Sequence, residues 1–86
     1  MLTPEERLSH IETLRHFPAT LEALVSQLNE TQLTTPFLAG EWTIAQNVHH
    51  TADSHMNSYI RLKLMLTEER PLLKPYDETK WALFPD

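Results

Sequence analysis

Apolar residues recur along this chain with helical spacing, in two long runs separated by breaker-rich segments. Leu8, Ile11 and Leu14 follow one another at steps of three, and Leu21, Leu24, Val25 and Leu28 extend the stripe. That period predicts one amphipathic arm from about Pro4 to Leu28. Its start signal is Thr3-Pro4-Glu5-Glu6: a Thr3 N-cap, a proline at the first helical position where no N–H is needed, and Glu6 to close a capping box. Pro18 interrupts the run. Proline removes a helix hydrogen bond and disfavours helix at the residue before it, so a kink or short break is expected near Phe17, or two short helices in place of one.

Residues 29–41 read as a connection. Asn29-Glu30-Thr31 can start a single turn, Pro36 stops it, and Gly40, the only glycine, sits where a turn is needed. Leu33, Phe37 and Leu38 are expected to pin this loop onto the core. The second long helix is announced by Thr43 with Gln46 three residues on, another capping box. Nothing breaks it before about Glu69, giving an element of roughly 40 Å. Its apolar face is Ile44, Val48, Ala52, Met56, Tyr59 and Leu66. Pro71 is expected to end it, residues 72–76 to run extended, and Asp77 to cap a third helix that carries Trp81, Leu83 and Phe84. No repeat and no strand-like alternation intervenes, so the fold class is all-α.

Composition narrows the partners. Eighty-six residues make one small domain with a thin core. A net charge of −5, from 12 acidic and 7 basic residues, disfavours a nucleic-acid backbone and an anionic membrane surface as partners. No apolar run approaches the roughly 20 residues that span a bilayer, and the acidic start is unlike a signal peptide; the expected location is cytoplasmic. Without cysteine, disulfides, thiolate nucleophiles and zinc-thiolate sites are excluded, and a metal site must use imidazole, carboxylate and water.

Five histidines is a high count for this length, and His49, His50 and His55 fall within seven residues. At 100° per residue they point in three directions: His55 into the apolar stripe, His49 to its border, and His50 to the far side. His50 shares a column with Gln46, Asn57 and Arg61, flanked by Asp53 and Ser54. Periodicity by itself makes this column a solvated face. It also makes His55 a hydrogen-bonded core residue, His49 a border residue, and His10 and His16 surface residues. No His-x-x-x-His and no His-Glu-x-x-His stands anywhere in the chain, so no complete metal motif is present.

The segment from Glu41 to His55, with a tryptophan, a threonine, a helix and a histidine eight residues after the tryptophan, resembles the DinB superfamily. The further runs from His55 to Leu64, Leu66 to Glu68 and Lys74 to Asp77 resemble its YfiT-like branch, a group of metal-dependent hydrolase names that includes bacillithiol S-transferases. The resemblance covers nearly the whole chain. It implies a four-helix bundle in which three histidines hold a divalent metal, nickel or zinc. The first of them corresponds to His50, and the other two form a His-x-x-x-His pair on a later helix. It also implies a small-molecule substrate, and either water or a low-molecular-weight thiol as nucleophile.

The expected object is therefore one partial domain over residues 1–86, truncated at its C-terminus: two long antiparallel helices and the start of a third, half of the bundle. It would hold one of three metal ligands, His50, and no assignable catalytic residue. Gln46, Asp53, Asn57 and Arg61 become candidates for the pocket lining or for orienting the ligand. The competing expectation is a non-catalytic half-bundle that pairs with a second copy as a homodimer and hides Trp81, Leu83 and Phe84.

Overall fold

A computed structural model describes all 86 residues. It is all-helical, in the order α1 (Pro4–Val25), α2 (Glu30–Thr34), α3 (Ile44–Thr67) and α4 (Glu78–Ala82). Residues 1–33 and 34–86 are two separate compact units. No helix is long and apolar enough to cross a membrane.

The first unit is built on α1. Thr3 is extended and its hydroxyl accepts the Glu6 N–H at 3.1 Å, with Pro4 at the helix start. Glu5 and Glu6 in the first turn complement the positive end of the helix. The helix runs on through Pro18 without a break, which corrects the short break and the two-helix alternative expected near Phe17. A proline costs one ladder bond, and the turns on either side keep theirs. Phe17, Leu21, Val25 and Leu28 are half-buried, whereas Leu8, Ile11, Leu14 and Leu24 are exposed. Asn29 then caps α2 in a reciprocal pair: its side chain accepts the Gln32 N–H at 2.8 Å, and Gln32 Oε1 accepts the Asn29 N–H at 2.9 Å.

The second unit begins with the connection to α3. Gly40 has φ +84°, a left-handed conformation that glycine takes at no steric cost. It closes a turn in which the Glu41 N–H meets the Leu38 carbonyl at 3.1 Å. Phe37 and Leu38 do not pin this loop: Phe37 is 96% exposed and Leu38 is also open to solvent. A loop two residues past a proline has no helix ladder to orient its side chains inward, and hydrophobicity by itself did not do so.

The capping box of α3 is complete. Gln46 N–H donates to Thr43 Oγ1 at 3.1 Å, and Thr43 N–H donates to Gln46 Oε1 at 2.9 Å. At its far end α3 stops at Thr67, with Glu68 already extended, before the proline expected to end it. Pro71 restricts only Arg70, the residue before it, and the helix has already ended at Thr67. The segment after α3 returns along the helix, and α4 packs against α3. Asp77 caps α4, its carboxylate accepting the Lys80 N–H at 3.0 Å. The most buried side chain is Ala82, 2% exposed, small enough to let the short helix approach closely.

Candidate functional site

Two local devices set the position of His50. The Gly40 turn and the Thr43 cap fix the backbone on either side of Trp42, which stands just outside the helix. Two turns into α3 the ring of His50 meets the Trp42 indole, with centroids 5.1 Å apart and planes tilted by 59°, an aromatic contact in the favourable tilted range. His50 is half-buried. Its Nδ1 is fully shielded from solvent and has no hydrogen-bond partner in the chain. A shielded, unpaired polar atom costs about 1–3 kcal/mol, a cost that a water or a ligand on that nitrogen would remove.

The column through His50 is not a solvated face. Asp53 is the only buried charged residue of the chain, 8% exposed. Gln46, His50, Asn57 and Arg61 are half-buried, while of the apolar stripe only Val48 is half-buried and Ile44, Ala52, Met56, Tyr59 and Leu66 are exposed. The polar side of α3 is thus the sheltered one and the apolar side is open. At Asn57 and Arg61 the shelter is the segment after α3. Arg61 donates an N–H to the Lys74 carbonyl at 3.1 Å, its guanidinium lies 6.0 Å from the centre of the Tyr76 ring, and Tyr76 packs on Trp81 with centroids 4.7 Å apart.

The candidate residues serve different ends. Gln46 spends its side-chain oxygen on the cap and, with His49, lines a cavity of about 350 Å³ walled by residues 82–86. Asn57 donates to the Asp53 carbonyl at 2.8 Å and joins Arg61 in a second cavity of about 480 Å³. His50 lines neither. His49 Nδ1 lies 3.3 Å from Asp86 Oδ1, as a border residue can. His55 is exposed rather than core, because the apolar stripe it joins is itself open. On α1, His10 and His16 are exposed, with His16 3.4 Å from Glu12.

No group of three His, Asp or Glu side chains converges to hold a metal ion. His50 offers one donor, and the residues present do not by themselves fit a divalent ion. Trp42, Tyr76 and Trp81 are site features that helical periodicity missed. Only the eight-residue interval from Trp42 to His50 pointed to the first of them. A profile of the DinB superfamily matches residues 13–86.

The chain belongs to the DinB superfamily. Among curated proteins, "Putative metal-dependent hydrolase YfiT" of Bacillus subtilis (strain 168) is 48% identical over 85 residues, covering 99% of this chain and 48% of that protein. "Putative metal-dependent hydrolase BCB4264_A2719" of Bacillus cereus (strain B4264) is likewise 48% identical over 99% of this chain and 49% of its own length. The chain therefore spans about half the length of the curated DinB relatives it matches. No solved structure matches it with significance.

Proposed function

We propose that this chain is the His50-bearing half of a metal-dependent hydrolase or thiol transferase of the DinB superfamily. The observation that carries the reading is His50 itself, half-buried against Trp42 with a shielded ring nitrogen that nothing in the chain satisfies. The names of the relatives supply metal dependence for those proteins. In this reading His50 is one of three histidine ligands to nickel or zinc, and Trp42 orients its ring. The remaining two ligands belong to the half of the relatives' length that this chain does not span. The substrate is a small molecule, the nucleophile is water or a low-molecular-weight thiol, and the setting is cytoplasmic.

The test is reconstitution. This chain is mixed with the complementary C-terminal half of the Bacillus subtilis relative, and the purified assembly is assayed for metal by elemental analysis. About one equivalent of nickel or zinc is expected with the wild-type chain and none with His50→Ala. Equal metal retention by the two would overturn the assignment of His50.

A second reading rests on a different observation. Met56, Tyr59 and Leu66 of α3 are exposed apolar residues along one stripe of the helix, an uncovered face of the kind that a second copy can close. In that reading the chain is a non-catalytic half-bundle closed by a second copy. Light scattering decides it: a dimer is expected, and a monomer at all workable concentrations refutes it.

A further inference from the structure

A cavity of the second unit lies away from His50. It is a hollow of about 480 Å³ between the C-terminal half of α3 and the segment that follows it, lined by Asn57, Arg61, Leu64, Leu73, Tyr76 and Trp81 among others. That volume lies in the range of small-molecule sites. Its walls are mostly apolar and aromatic, with few polar groups.

The disposition of Arg61 gives this hollow its chemistry. Its side chain makes one hydrogen bond to protein, to the Lys74 carbonyl at 3.1 Å, and it lies against the Tyr76 ring. No carboxylate comes within ion-pair distance of it. A guanidinium carries five N–H donors in a planar fork, so two contacts fix its orientation while most of its donors are left unspent. Lys74 adds a second positive charge to the lining. The one acidic residue there, Asp77, holds its carboxylate on the Lys80 N–H as the cap of α4. The balance at the hollow is positive in a chain whose net charge is −5. A planar fork beside two aromatic rings suits a carboxylate or phosphate attached to a flat or apolar body.

We propose that this cavity is a recognition site for a small organic anion, with Arg61 as its charge partner and Tyr76 and Trp81 as the walls for its apolar body. Arg61 stands eleven residues after His50, about 16 Å along the helix and about 20° around it. An anion bound there lies on the same face of α3 as the ligand histidine. Its role as the non-reacting end of a substrate or thiol rests on the functional reading above; the binding site itself does not.

The test is a metal-free titration of the whole chain with benzoate, phenyl phosphate and neutral benzamide, followed by the indole N–H resonances of Trp81, inside the cavity, and Trp42, outside it. Saturable movement of Trp81 but not Trp42 is expected with at least one of the anions, about tenfold tighter than with benzamide. The preferred anion names the class, carboxylate or phosphate. Arg61→Gln is expected to erase the preference over benzamide. Arg61→Lys, which keeps the charge and loses the fork, is expected to weaken it several-fold, and Lys74→Gln to leave most of it. Equal binding of benzamide and both anions, or no saturable shift with any of them, overturns the proposal and leaves Arg61 as a strut for the Lys74 segment. With metal absent throughout, either result is independent of the reconstitution assay at His50.

Discussion

Replacing Thr43 by alanine removes the hydroxyl that caps α3 and so perturbs both the helix and the ring contact that follows it. The substitution deletes one bond of the reciprocal pair, Gln46 N–H to Thr43 Oγ1 at 3.1 Å; the other, from the Thr43 N–H to Gln46 Oε1 at 2.9 Å, uses a backbone donor that alanine keeps. The loss is therefore that of one N-cap, about 1 kcal/mol, held from falling lower by the partial burial of the pair. On a domain of this size that corresponds to a fall in thermal midpoint of roughly 4–8 °C. Circular dichroism at 222 nm measures it, with Thr43→Ser as the control that restores the oxygen and most of the stability. Gln46→Ala removes the other bond, and a double-mutant cycle with Thr43→Ala is expected to show coupling, because each bond holds the other's partner in place. Since Trp42 precedes the cap, Thr43→Ala is also expected to reduce the ring-current shift that the indole imposes on His50, 5.1 Å away. An unchanged midpoint, or a serine variant as unstable as the alanine one, would refute the claim that the box fixes the start of α3.

Gly40→Ala is expected to destabilise by roughly 1–2 kcal/mol; no atom lies within 4 Å of the added methyl, so the cost is that of the positive φ, and thermal melts giving no loss would show the turn is not needed in that form. Pro18→Ala is expected to raise the thermal midpoint and the helical signal at 222 nm, with about 3 kcal/mol as the ceiling, since α1 already accepts the residue in helical geometry; a lowered midpoint would mean the proline has a packing role that outweighs its missing bond.

The shielded imidazole nitrogen and the buried Asp53 sit about one turn apart on α3. Burying polar groups is costly unless something satisfies them, and a thin core offers little to offset that cost.

The sequence by itself determined what depends on neighbours within four residues. Thr3, Thr43 and Asp77 were legible as caps because each accepts an N–H three residues on, a geometry local to the chain. Gly40 was legible as the turn because a positive φ selects its residue type. The placement of His50 opposite the apolar stripe followed from the 100° step alone, and its reading as a ligand from the resemblance to the DinB family. Tertiary structure decided which face of α3 is covered. Periodicity distinguishes two faces of a helix but does not say what will lie against either. Here the covering segment is tied to the polar side by contacts between residues 13 or more apart, Arg61 to Lys74 and Tyr76. It also decided that Phe37 and Leu38 remain exposed and that α1 continues through Pro18, outcomes set by packing and by ladder bonds on either side rather than by the identity of those residues.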